Sequence, residues 1–189
     1  MELFDTINKG AEFSNDGCYR YRLWRIWDES KPKAMVIGLN PSNANADKDD
    51  PTISILKRML SKLNYGGFYM MNCFAYITSK PELLKHNPMS DAWNNNMLTI
   101  TASSCADVIF AYGAFKVIKQ KGRDIELLEM FPNAKCFGKS RDGSPIHPLA
   151  MQERNGRNPN EPELFNYKSI ASEALNKSSG SPSSPGGEG

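Results

Sequence analysis

The first regular pattern along the chain has a period of two. In CYRYRLWRIW, Cys18 to Trp27, the residues Tyr19, Tyr21 and Leu23 alternate with Arg20 and Arg22, as they would on a half-buried strand. The alternation slips at Trp24, through a bulge or because the strand is covered on both sides beyond that point. Residues Met1 to Gly17 mix charges with Gly and Asn and read as a lead-in, loose or forming a short strand. The turn residues Asp28 to Lys33, with Pro32, join this strand to the next apolar run, most simply as an antiparallel pair. The strand's Arg residues read as a solvated face.

The apolar run Ala34 to Gly38 is long enough for a strand buried on both faces, and it stops at Gly38. A polar loop follows, Leu39 to Asp50, with a Pro, a Ser, three Asn and three Asp. It ends in Asp50-Pro51-Thr52, a capping carboxylate followed by Pro at the first helical position. Ile53, Leu56, Leu60 and Leu63 then fall at helical spacing, and Gly66-Gly67 closes the helix. In open α/β sheets ligands bind beyond the carboxyl ends of strands, so the loop after Gly38 is the first place to look for chemistry.

Phe68 to Tyr76, FYMMNCFAY, predicts a second, central strand carrying one polar residue, Asn72. A buried Asn must find partners, and a structural role satisfied by neighbouring backbone is its simplest reading. Ser79 to Leu84 starts like a short capped helix, broken at Asn87-Pro88. Ser90 or Asp91 caps a longer helix to about Ala106, with Asn94, Asn95 and Asn96 as its polar face. Val108 to Tyr112 is a third strand ending at Gly113. A helix from about Phe115 to Met130 is stopped by Pro132, and Ala134 to Phe137 makes a fourth strand. Gly138 to Pro148 is another polar loop at a strand end, and it contains His147.

This order predicts an α/β fold: three layers, α/β/α, around a mainly parallel sheet. The division is a lead-in over 1–17, a single domain over 18–170, and a flexible Ser/Gly/Pro-rich tail over 171–189. With 23 basic and 21 acidic side chains, bulk charge selects no partner, so nucleic-acid contact would need a local patch. Four scattered Cys and two His, with no C-x-x-C pair, indicate neither a zinc site nor a disulfide framework. No apolar run approaches membrane-spanning length and no signal-peptide pattern opens the chain, so a cytoplasmic setting without membrane contact is expected.

Three polar residues thus fall on one side of the predicted sheet: Asn40, Asn72 and His147. No Ser nucleophile elbow, P-loop, GxGxxG fingerprint or metal cluster accompanies them, so no cofactor or metal is expected. Two amides and an imidazole can position a water, bind the edge of a planar heterocycle and stabilise an anionic oxygen.

The set resembles the uracil-DNA glycosylase superfamily. Its mismatch-specific thymine/uracil glycosylases have a Gly-hydrophobe-Asn-Pro loop similar to Gly38-Leu39-Asn40-Pro41. The order matches as well: a water-activating loop over Gly38 to Ser42, a base-reading Asn at Asn72, a Gly-capped strand over Val108 to Gly113, and a His-Pro loop at His147-Pro148. Over roughly Tyr19 to Leu149 the chain more closely resembles an uncharacterised bacterial and phage family, domain of unknown function 1643, through YRYRLWRIW, GLNPSNA, DDPT, NCFAY and HPL.

The glycosylase resemblance implies that Asn40 orients a water against the sugar C1′ and that Asn72 binds the pyrimidine edge. His147 would hydrogen-bond the base O2 and stabilise charge as the glycosidic bond breaks. Phe74, two residues beyond Asn72 and expected on the same strand face, would stack on the base, with Leu39 or Pro41 as alternative pocket walls. A base in duplex DNA would first be flipped out. Three departures stand beside these likenesses. The His loop reads HPLAM, leaving Leu149 or Met151 as the intercalating residue. No strongly basic helix follows, and Asp47 to Asp50 add negative charge beside the site.

The expected partner is a nucleobase, nucleotide or DNA, and the expected activity is hydrolysis of an N-glycosidic bond. The alternatives are a non-catalytic module of the same fold that captures a nucleotide or modified base, and a protein-interaction domain that has lost the site.

Overall fold

A computed structural model describes residues 8–41, 47–84, 88–151 and 156–167. At the centre lies β3 (Lys33–Gly38), buried from Ala34 to Gly38. Side chains alternate across a strand, so Ala34 and Val36 face one layer, packing with Ile53, Leu56, Met59 and Leu60 of α1 (Pro51–Lys62). Met35 and Ile37 face the other layer, with Met97 and Leu98 of α2 (Pro88–Ala102), Ile118 of α3 (Lys116–Gln120) and Leu127 of α4 (Arg123–Met130). Truncating a wholly buried member of either layer, such as Leu56 or Ile37, costs about 2–5 kcal/mol.

Parallel to β3 run β4 (Gly67–Asn72) on one side and β5 (Asp107–Phe110) on the other, with β6 (Lys135–Cys136) parallel beyond β5. Antiparallel strands complete the margins: β2 (Arg20–Ile26) beside β4, β1 (Asn8–Phe13) beside β2, and β7 (Phe165–Asn166) beside β6. The order β1-β2-β4-β3-β5-β6-β7 is therefore a mixed sheet whose parallel part is its four central strands. It carries four α-helices among the described residues. None of them is long and apolar enough to cross a membrane.

β2 and β3 do not pair; β4 lies between them. Their connection instead arches over the start of β4, where Trp27 N and Asp28 N donate to Gly66 O at 2.9 and 2.8 Å and Gly66 N donates to Pro32 O at 2.8 Å. A Cβ on Gly66 would stand 2.0 Å from Asp28 O, so this crossing requires glycine. The Gly pair that reads as a helix stop is there for close packing.

The start of α1 matches its sequence, with Asp50 accepting from Ile53 N at 2.9 Å and Pro51 opening the helix. Other boundaries move. The helix expected over Phe115 to Met130 is two, α3 and α4, divided at Gly122 with φ 63°. The short helix expected from Ser79 is one 3-10 turn, Pro81–Leu83, and α2 stops at Ala102. Asn8–Phe13 takes the strand alternative for the lead-in. The tail expected over 171–189 lies outside the described residues.

Two arginines of β2 are not on a solvated face. Arg25 is 1% exposed and its Nε donates to Asp49 Oδ1 at 2.7 Å, with Nη1 on Trp24 O at 2.8 Å. Arg20 is 3% exposed. A side chain with period-two spacing can be buried on either face when the strand is flanked on both sides, which the alternation alone does not reveal.

Candidate functional site

β4 and β5 both follow β3 in the chain and lie on opposite sides of it. That reversal opens a crevice beyond the carboxyl ends of the parallel strands. A cleft of about 240 Å³ occupies it. Gly38, Leu39 and Asn40 enter from the end of β3, Thr78, Ser79 and Pro81 from beyond β4, Phe115 from beyond β5, and His147 and Leu149 from beyond β6. Asp50, Thr52 and Ile53 add the start of α1. Because β2 runs antiparallel to its neighbour, its first residue, Arg20, arrives at this same end and lines the cleft too.

Asn40 is held by its amide nitrogen, which donates to Thr78 O at 2.6 Å and Pro41 O at 3.0 Å. Both partners are carbonyls, so the orientation of the amide is fixed by its surroundings. What Asn40 offers the cleft is Oδ1, an acceptor, which is the group needed to orient a water. Pro41 is buried and its carbonyl also accepts from Thr78 N at 3.2 Å, tying the β3 loop to the segment beyond β4.

His147 precedes a 3-10 turn, Pro148–Ala150, and caps it: Nδ1 accepts from Leu149 N at 3.2 Å. An imidazole that accepts at Nδ1 carries its neutral-state proton on Nε2. Burial lowers its proton affinity, with the Asp50 carboxylate pulling the other way. The lowered proton affinity favours the neutral ring, which carries its proton on Nε2 and walls the cleft. Gly113, with φ 78°, makes this placement possible, since a Cβ there would lie 3.3 Å from His147 Cβ and 3.2 Å from the Phe115 ring. Gly113 N also donates to Pro145 O at 3.1 Å, joining the β5 and β6 loops. Arg20 keeps its charge although burial pushes its pKa down to about 10, with the Asp50 carboxylate opposing that fall.

Asn72 does not line the cleft. It is wholly buried, and neither its Oδ1 nor its Nδ2 has a hydrogen-bond partner among the described residues. It sits one layer behind the wall at Gly38, its register partner: a Cβ on Gly38 would meet Asn72 Oδ1 at 3.4 Å and Met70 Cε at 2.5 Å. Met70, which lines the cleft, covers the same glycine. The main chain at Asn72 is itself irregular. Leu23 faces Met70, but Arg20 N donates to Ala75 O at 2.9 Å and Tyr19 bridges Tyr76, so a few steps along β2 match more steps along the β4 segment. At this bulge side chains supply the donors. Asn94 Nδ2 donates to Asn72 O at 3.0 Å and to Cys73 O at 3.4 Å, and Arg123 Nε donates to Cys73 O at 2.9 Å. Asn94, expected on the polar face of α2, is 1% exposed, because it serves this irregular strand end.

The remaining expected residues are dispersed. Phe74 lies past the last strand residue and packs, 2% exposed, in the core with Met71 and Cys73, so it does not share a face with Asn72. Its backbone N donates to Leu39 O at 3.0 Å. Pro148 opens the 3-10 turn and is buried there, and Ser42 lies outside the described residues. Of the two intercalation candidates, Leu149 is 38% exposed at the cleft, whereas Met151 is 4% exposed in the core. The acidic run is largely engaged elsewhere: Asp47 with Lys9 at 3.7 Å, and Asp49 with Arg25 and with Lys57, the latter at 3.3 Å.

Reading the sequence missed Arg20, Phe115 and the exposure of Asp50 to the cleft. The signal for Phe115 was present, since Gly113-Ala114-Phe115 follows directly on a predicted strand end. A wider depression of about 580 Å³ adjoins the cleft and shares Phe115, His147 and Leu149 with it. Among the described residues, no three His, Cys, Asp or Glu side chains are grouped to hold a metal ion.

No curated protein matches this sequence. The model of one family matches residues 20–149, from the first residue of β2 to the last exposed wall of the cleft, and on that match the chain belongs to the family described as protein of unknown function DUF1643.

Proposed function

We propose that the protein is a uracil-DNA-glycosylase-like α/β protein that recognises a nucleobase in this cleft and hydrolyses an N-glycosidic bond in DNA. The observation that carries the reading is the pairing of an acceptor with a donor across one small cleft: Asn40 Oδ1 and the Nε2–H of His147. The first can orient a water toward the sugar C1′. The second can hydrogen-bond the base oxygen on which negative charge gathers as the bond breaks. Pockets for drug-sized ligands run to about 300–1,000 Å³, so a cleft of about 240 Å³ suits a single base.

Asn72 is the expected reader of the base edge. Its amide, unpartnered among the described residues and buried against Gly38, is costly unless a ligand supplies the missing bonds. For a base to reach it, Met70 must move aside, and an unbranched thioether does so more readily than a branched side chain. Phe115, 39% exposed at the cleft, takes the stacking role expected of Phe74.

The test is base release from oligonucleotides carrying uracil, a mismatched thymine or hydroxymethyluracil, with Asn40→Ala and His147→Ala alongside. Release by the wild type that is lost in both variants is the expected result. No release from any substrate, with deoxyuridine monophosphate raising the melting temperature, replaces hydrolysis with nucleotide capture. The closed position of Asn72 behind Met70 is the observation that favours this second reading.

A further inference from the structure

Hydrolysis by an attacking water must place a proton somewhere, and most of the polar groups lining this cleft cannot take it. The Asn40 amide has no useful basicity, and its nitrogen is bound to two carbonyls. His147 accepts from Leu149 N at Nδ1, so in the neutral ring its other nitrogen already bears a proton. Arg20 is a cation, and Thr52, Thr78 and Ser79 offer only hydroxyls. Asp50 is the one carboxylate among the described residues that wall the cleft. It lies near enough to His147 and Arg20 for its charge to act on both. Its neighbours Asp47 and Asp49 turn instead to Lys9, Arg25 and Lys57.

Resting on the hydrolytic reading above, we infer that Asp50 is a catalytic residue, the general base of the reaction as well as the cap of α1. The water oriented by Asn40 adds its oxygen to C1′ and passes a proton to the Asp50 carboxylate. The C1′–N bond breaks with its electron pair going to the base, whose charge His147 receives by hydrogen bond. The proton on Asp50 then leaves to the departing base or to solvent. The carboxylate also faces the positive charge that develops on the sugar before the water bond is complete. The cap bond to Ile53 N fixes the carboxylate at the helix start, which is the preorganisation such a base needs.

The two roles separate by substitution, because Asn and Ser cap a helix about as well as Asp. Asp50→Asn and Asp50→Ser are expected to keep the melting temperature and the binding of deoxyuridine monophosphate while base release from a uracil oligonucleotide falls by about 10²–10⁴-fold. Asp50→Glu, which returns a displaced carboxylate, is expected to recover part of the rate. A wild type that releases base, with Asp50→Asn and Asp50→Ser both within about threefold of it, overturns the assignment of Asp50 alone. A wild type that releases no base from any substrate overturns the hydrolytic reading and this inference with it.

Discussion

The side-chain amide of Asn94 holds the main-chain carbonyl of Asn72 at 3.0 Å, helix to strand, at the point where the ladder between β2 and β4 is broken. Arg123 holds the next carbonyl from a second helix. The strand end that carries the buried Asn72 is therefore set by donors on α2 and α4. Removing Asn94 Nδ2 leaves buried carbonyls without that donor, at about 1–3 kcal/mol. Asn94→Ala is expected to lower the free energy of unfolding measured in urea by that amount. It is also expected to weaken nucleotide binding beyond the loss in a core variant of the same measured destabilisation.

Gly38→Ala tests the wall between the cleft and Asn72. The added methyl meets Met70 Cε at 2.5 Å, the far end of a flexible side chain, so the cost to stability is small, about 1 kcal/mol. The expected loss is in ligand binding, read as a diminished thermal shift with deoxyuridine monophosphate. An unchanged shift would place the base away from Gly38.

Phe115→Ala is expected to weaken single-stranded oligonucleotide binding by about 1–3 kcal/mol, the range for one base stacked on an aromatic ring. Phe115→Trp should retain most of it. Phe115 is 39% exposed, so its removal also forfeits some buried apolar area, and a loss of affinity measured well below the melting temperature of each variant reports contact and not unfolding.

His147 gives a pH dependence whose sign follows from its burial. Its folded-state pKa is lowered, so between the folded and unfolded values the unfolded chain binds more protons and stability rises with pH. Stability is expected to be fully present above the unfolded value of about 6.5 and to fall as the pH drops below it. His147→Asn, which keeps an acceptor for Leu149 N, should flatten that fall. Urea unfolding of both proteins at a series of pH values decides it, and equal slopes would mean that His147 stays accessible to protons in the fold.

The local chemistry of this chain was legible where a single stretch decides the outcome. The buried run at β3, the Asp50-Pro51 helix start and the loops at strand ends all follow from composition over a few residues. What depended on partners far along the chain was not. The burial of Arg20 and Arg25 depends on β4 and Asp49, and the burial of Asn94 depends on the bulge at Asn72. Neither has a trace in its own neighbourhood. Phe74 illustrates the same limit from the other side: the period of two that puts it with Asn72 holds only while the strand continues, and the strand ends at Asn72. The pairing of Asn40 with His147 was readable because both sit just beyond strands of the parallel core.

The cleft draws its walls from Arg20, the end of β3, the start of α1, Thr78 to Pro81, Phe115 and the His147 turn. No contiguous fragment carries its chemistry. During synthesis the residues of every other wall are made before the turn at His147 emerges, and joining such distant segments is the slow, entropically costly part of folding. Competence is therefore acquired last and all at once, and a nascent or prematurely ended chain has none. Cutting the polypeptide between α2 and β5 should give two inert pieces, with any chemistry returning only when they are mixed and reassemble the sheet.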